Sequence, residues 1–191
     1  MIRWITRALA IAVFVAIGLV VLDFAELLVP VRTDAQASMD PTIPACDGRA
    51  LAEGFTYKLR DPEQGEVVVI HAAVGPDGRI QPDRDARDLV LTLRIAAVPG
   101  DRIVGRDGRV FVNDVKFDDI VTQPFPPVDV GGDQYFVLGD NRSASVDSRL
   151  FGPVLRNAIF GRVFVVFWPL RDLSFRMHRV AGVPPGAVDC D

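Results

Sequence analysis

Gly139-Asp140-Asn141-Arg142-Ser143-Ala144-Ser145-Val146-Asp147-Ser148-Arg149-Leu150-Phe151-Gly152-Pro153-Val154 is the stretch whose reading decides what this chain is. It crowds Asp140, Asn141, Arg142, Asp147, Ser148 and Arg149 between two apolar runs, residues 135–138 and 159–168. Asp, Asn, Ser and Gly fold a loop back on its own backbone, and Asp–Arg pairs tie it to its neighbours by charge-assisted hydrogen bonds. A solvated turn between two strands needs only the Gly-Asp-Asn. The acids and bases that follow describe a scaffold for a site.

Working outward, the flanking segments read as strands. Residues 65–73 contain the continuous run Val67-Val68-Val69-Ile70 expected of a strand buried on both faces. Residues 89–98 form the next strand, ending at Pro99-Gly100-Asp101. Residues 102–106 and 109–112, separated by Asp107-Gly108, predict a hairpin with a two-residue turn. Residues 115–117 continue that sheet, and residues 135–138 and 161–168 complete the strand set. The polar stretch 73–88 and the proline-rich stretch 122–132 read as loops. No second amphipathic helix is visible. The expected fold is mainly β: a folded antiparallel sheet or partly closed barrel.

The start of the chain differs. Residues 8–22 carry no charge, with Arg3 and Arg7 before them and Asp23 and Glu26 after them. Trp4 and Ile5 on one side and Phe24, Leu27, Leu28 and Val29 on the other lengthen the run toward the ~20 residues a membrane helix needs. The arginines place its N-terminus in the cytoplasm and the remainder of the chain outside. A cleaved secretory signal is the competing reading, because Ala35-Gln36-Ala37 is a small-x-small triplet, but it lies far beyond the apolar core. The expected organisation is residues 1–30 as cytoplasmic end and transmembrane anchor, 31–180 as an exported β domain, and 181–191 as a flexible tail.

In 191 residues, 49% hydrophobic and 24% charged, there is room for one ordinary domain plus that anchor. The net charge of -4 argues against a nucleic-acid partner. Cys46 and Cys190 would face an oxidising space, as a disulfide or as two thiols. With only His71 and His178 beside them, no metal-ligand spacing is present, and no cofactor is implied.

Four stretches, in order, resemble the boxes of the bacterial type I signal peptidases, membrane-anchored Ser-Lys endopeptidases. Ser38-Met39-Asp40-Pro41-Thr42 resembles the nucleophile box, and Gly65-Glu66-Val67-Val68-Val69 a conserved strand. Arg94-Ile95-Ala96-Ala97-Val98-Pro99-Gly100-Asp101 resembles the box of the general base, and residues 139–154 the last box. The resemblance implies Ser38 as nucleophile and backbone oxyanion donor, Gln36 as a further oxyanion donor, and Met39, Pro41 and Ile43 lining the substrate. It implies Ser145 orienting the base, Asn141 in support, and two buried ion pairs, Arg94 with Asp140 and Asp147 with Arg149. Trp168 and its aromatic neighbours would be core or a membrane-facing edge.

Two positions depart from the pattern. The residue two before the nucleophile, often a serine, is Gln36, whose amide N–H could donate instead, in a segment, 32–37, more polar than the family's. Counting back from Pro99, the lysine of the dyad falls on Leu93, which cannot accept a proton, and an arginine stays protonated. Lys58 in a loop, Lys116 in a hairpin and His71 after a strand are the other groups to weigh as a base. The implied partners are signal peptides of exported preproteins and the lipid bilayer. Three functions follow from the resemblance: a signal peptidase at the outer face of the inner membrane, an impaired homologue that binds peptides or a paralogous signal peptidase, and a peptidase dedicated to one pilin-like substrate.

Overall fold

The computed structural model describes residues 28–32, 37–45, 48–86 and 89–168. The segment 8–22, Gln36, Cys46, His178 and Cys190 lie outside them, as does the tail expected at 181–191. Among the described residues no helix is long and apolar enough to cross a membrane.

The chain is mainly β. Strands β1 (Leu28–Arg32), β2 (Arg49–Glu53), β3 (Val67–Val74), β4 (Ile80–Pro82), β5 (Leu89–Ala97), β10 (Gln134–Leu138), β11 (Val154–Leu155) and β12 (Ile159–Trp168) build an eight-stranded sheet. Its order is β1-β2-β12-β3-β5-β10-β11, with β4 attached to β3. β6 (Arg102–Arg106), β7 (Arg109–Val112), β8 (Val115–Lys116) and β9 (Phe125–Asp129) form a second sheet in the order β8-β7-β6-β9. Every strand pair is antiparallel. Two four-residue helices, α1 (Thr56–Leu59) and α2 (Ser148–Phe151), complete the set.

The two-residue turn at Asp107-Gly108 has positive φ at both positions, 52° and 71°, as the twist of a tight hairpin demands. Several expectations are corrected. Leu28 and Val29 do not extend a membrane helix: they pair with Glu53 and Ala52 in a strand ladder, so the division expected at residue 30 falls inside β1. The loop read over 122–132 contains β9, whose Pro126 and Pro127 are tolerated because β9 is an edge strand. The excursion 73–88 contains β4, folded back onto β3. Lys58 sits on α1 rather than in a loop. The large sheet is also an open path from β1 to β11 rather than a closing barrel.

β5 organises the interior because alternate side chains enter different cores. Leu91, Leu93 and Ile95 join Val68, Ile70, Tyr57, Tyr135 and Val137 in one apolar cluster. A second cluster, Met39, Ile43, Ala50, Ala52, Val67, Val69, Val163 and Val166, fills the side on which Ser38 approaches. A third joins Ala96 and Ala97 to Ile103, Val110, Phe136 and Leu138, locking the two sheets together. Burial of this kind stabilises by roughly 25 cal/mol per Å² of apolar surface, and here it clamps β5 on every side.

Candidate active site

The site forms where β10 stops pairing with β5. The ladder reaches Leu138 opposite Arg94, and the chain then leaves the sheet at Gly139. The space beside β5 is taken by a 3-10 turn, Ala37–Met39, and the turn after it, whose Met39 and Ile43 side chains plug the second core. Ser38 thereby sits at the strand edge, 8% exposed, and its hydroxyl donates a long hydrogen bond of 3.5 Å to the carbonyl of Thr92. That carbonyl belongs to the peptide joining Thr92 to Leu93. The Ser38 carbonyl accepts from the Asn141 N–H at 2.9 Å, which holds the Ser38 segment against the Gly-Asp-Asn loop.

Gly139 makes the approach possible. A Cβ there would stand 2.2 Å from Ser145 Oγ and 2.5 Å from the Ser38 carbonyl oxygen. Ser38, Gly139, Asn141 and Ser145 are therefore gathered at one point. Within that point the Ser145 hydroxyl is buried and, among the described residues, has no hydrogen-bond partner. Native structures rarely leave such a group unsatisfied, since desolvating it costs about 1–3 kcal/mol.

Two fork-shaped ion pairs hold the surrounding loop. Arg94 Nε and Nη2 donate to Asp140 Oδ1 and Oδ2 at 2.8 and 2.6 Å, and Arg94 Nη1 donates to the Gly65 carbonyl at 2.7 Å. Burial pushes the Arg94 pKa down, but the hydrogen bond and charge of Asp140 outweigh it, so the net shift is upward and the guanidinium stays charged. Arg149 Nε and Nη2 donate to the two oxygens of Asp147, each at 2.8 Å. Asp147 also accepts from the Gly139 N–H at 3.0 Å and caps α2 through the Arg149 N–H. Ser148 Oγ accepts from the Val137 N–H at 3.0 Å, replacing a strand partner.

Three participants carry no signal in the motif reading. Thr42 donates to Asp140 and sits under Arg94, which closes the first ion pair. Asp118 pairs with the buried Arg142, whose Nε also holds the Gly139 carbonyl at 2.9 Å. Thr92 supplies the carbonyl that receives Ser38. Only Thr42 lies within a quoted box. Asp118 lies in the irregular segment after β8, 24 residues before Arg142.

The structure separates other residues from this centre. Met39 and Ile43, expected to line the substrate, are 1% and 0% exposed and belong to the core, because the 3-10 turn directs them onto Val67 and Val69. Pro41 is exposed and lines a cavity of about 640 Å³ with Asp40, Asn141 and Ser145. Leu93 is 1% exposed and packed in the first core. Lys116 is paired with Asp119 at 2.5 Å, and Lys58 lies exposed on α1. His71, opposite Val90 on β3, meets the ring of Phe160 edge-on at 5.3 Å, three residues along β5 from Leu93. Among the described residues no cluster of His, Cys, Asp and Glu could hold a metal.

The sequence profile of the family described as signal peptidase, peptidase S26, matches residues 1–168. "Probable signal peptidase I-2" of Synechocystis is 37% identical over 169 residues, covering 86% of this chain and 72% of that protein. Signal peptidase IB of Staphylococcus aureus is 30% identical over 189 residues, covering 86% of this chain and 91% of its own length. The crystal structure of a signal peptidase I from Enterococcus faecalis aligns with a TM-score of 0.42 at 23% identity, over 54% of this chain and 97% of that one.

Proposed function

This chain belongs to the signal peptidase family, peptidase S26, and from that premise we propose a signal peptidase I-like serine endopeptidase scaffold that meets signal peptides of exported preproteins with an impaired catalytic base. In this reading residues 8–22 anchor the chain in the cell membrane and the β domain lies on the outer side. Ser38 stands in the place of the nucleophile and Leu93 in the place of the lysine.

The observation that carries the proposal is the partnerless Ser145 hydroxyl. It is buried against Gly139 and the Ser38 backbone, while the Ser38 side chain bonds the peptide that leads into Leu93. In this reading a lysine amine at residue 93 would be the partner of that hydroxyl, a role an isobutyl group cannot take. Burial would lower the pKa of a lysine there, as a neutral base requires. Both ion pairs of the surrounding loop are in place.

Peptide cleavage requires the Ser38 hydroxyl to lose its proton as Oγ attacks the scissile carbonyl, and the leaving amine to gain one. Backbone donors near Ser38 would stabilise the oxyanion. Without a base for the proton, the attack slows by about 10²–10⁴-fold. A second reading follows from the same apolar position: the chain binds exported peptides, or a paralogous peptidase, without cutting. A peptidase dedicated to one pilin-like substrate is the narrower form of the first.

The test is cleavage of a model preprotein by the purified full chain in detergent, with Leu93→Lys, Ser38→Ala and the double variant alongside. Leu93→Lys is expected to raise the rate about 10²–10⁴-fold, and Ser38→Ala to abolish the gain. Ser38-dependent cleavage by the unmodified chain at the rate of Leu93→Lys would overturn the assignment of Leu93.

A further inference from the structure

The strand register shows which edge of the β domain stands next to the proposed anchor. β1 begins at Leu28, whose Cα partner is Glu53 at the end of β2. The residues between Leu22 and Leu28 span at most about 20 Å even fully extended, so Glu53 stays close to the end of the apolar segment. Glu53 Oε2 accepts from the Thr56 N–H at 2.9 Å, which fixes α1 beside it. The surface there is apolar in an unusual way: Phe55 is 39% exposed, Leu59 73% and Leu155 49%. Arg156 ties the last of these to α1, because its Nη2 donates to the Tyr57 carbonyl at 2.6 Å.

Charge at this edge is arranged around Lys58. Arg60 is paired with Glu63 and Glu66, and Arg156 with Asp61. Lys58, exposed between Phe55 and Leu59, makes no ion pair among the described residues. Beneath it the Tyr57 hydroxyl donates to Glu66 at 2.9 Å, so α1 is held rigidly with its apolar side chains outward.

We propose that Phe55, Leu59 and Leu155 form a foot that rests in the bilayer interface, with Lys58 reaching the phosphate level. Apolar side chains enter the headgroup and acyl boundary while a lysine stem covers them and keeps its ammonium in water. Because the neighbouring arginines are neutralised, contact depends on apolar insertion far more than on anionic lipid. The foot rests on the reading of residues 8–22 as an anchor. It fixes the orientation of the β domain on the membrane, which an anchor alone does not.

The experiment uses the full chain, with Cys46 and Cys190 replaced by Ser, reconstituted into phosphatidylcholine vesicles with brominated acyl chains. An environment-sensitive fluorophore is attached through Leu59→Cys, or through Val115→Cys on the outer strand of the second sheet, where Val115 is 71% exposed. The expected result is a blue shift and strong quenching at position 59 and neither at 115, with little change when phosphatidylglycerol is added. A chain that floats with the vesicles while both probes stay aqueous, or are quenched alike, overturns the foot and leaves the anchor standing. A chain that does not float overturns the anchor and the foot with it.

Discussion

The loop of residues 139–149 and the four-stranded sheet carry the same kind of interaction in opposite surroundings. Arg94 and Asp140 meet with side chains 8% and 4% exposed, while Arg102 and Asp129 meet at 60% and 76%. Their closest contacts are similar, 2.6 and 2.8 Å. What differs is the medium: water screens the second pair and has been excluded from the first. The buried pair is thus a commitment of the fold, because neither charge can be left alone, whereas the exposed pair decorates a sheet that apolar packing already holds. Geometry alone would have ranked them together.

Breaking the buried pair has the largest expected effect. Asp140→Ala leaves the Arg94 guanidinium uncompensated and is expected to cost about 3–5 kcal/mol in chemical denaturation. A loss under about 1 kcal/mol would put the two pairs in one class. Gly139→Ala comes next. Its methyl group collides with Ser145 and with the Ser38 carbonyl, so a loss of about 1–3 kcal/mol is expected, together with slower acylation of Ser38 in the Leu93→Lys background. Unchanged acylation would show that the two serines need not be gathered at Gly139.

Glu66 sharpens the comparison through pH. Burial pushes its carboxyl up, but hydrogen bonds from Arg60, the Glu63 N–H and Tyr57 outweigh it and hold the pKa below the ordinary 4.5. A depressed carboxyl contributes stability that is fully present above the unfolded value and is lost as pH falls through the folded one. Acid titration of the unfolding free energy should therefore fall less steeply below that value in Glu66→Gln than in the parent, and parallel curves would remove Glu66 from the acid response. The smallest effect belongs to Arg102→Ala: less than about 1 kcal/mol, vanishing in high salt.

Legibility tracked how local each feature is. The strands read over residues 65–73 and 89–98, and the Asp107-Gly108 turn, are local patterns, and they appear in the structure within a residue or two at their ends. Strands β1, β2, β4, β9 and β11 were not legible. β1 is made of the same apolar residues that continue the segment before it, and only its pairing with β2 distinguishes strand from span. β9 carries two prolines, which read as a loop until an edge position makes their missing N–H harmless.

The pairing of Arg94 with Asp140 and of Asp147 with Arg149 followed from motif resemblance, and the same pairs hold the loop in the structure. Asp118 was invisible beforehand, because its tie to Arg142 depends on how the two sheets meet. Met39 and Ile43 show the converse error. As residues beside a nucleophile they suggest a groove, yet the 3-10 turn sends both inward.

By itself the sequence determined a mainly β chain with a charged, hydrogen-bonding loop between two apolar runs. Those properties reside in composition, alternation and spacing along the chain. Only the tertiary structure decided that Ser38 meets the Thr92 carbonyl, that Gly139 must lack a side chain, and that Ser145 is left without a partner. Each depends on three segments remote in sequence converging where one strand stops pairing, and burial there turns a missing contact into a definite cost.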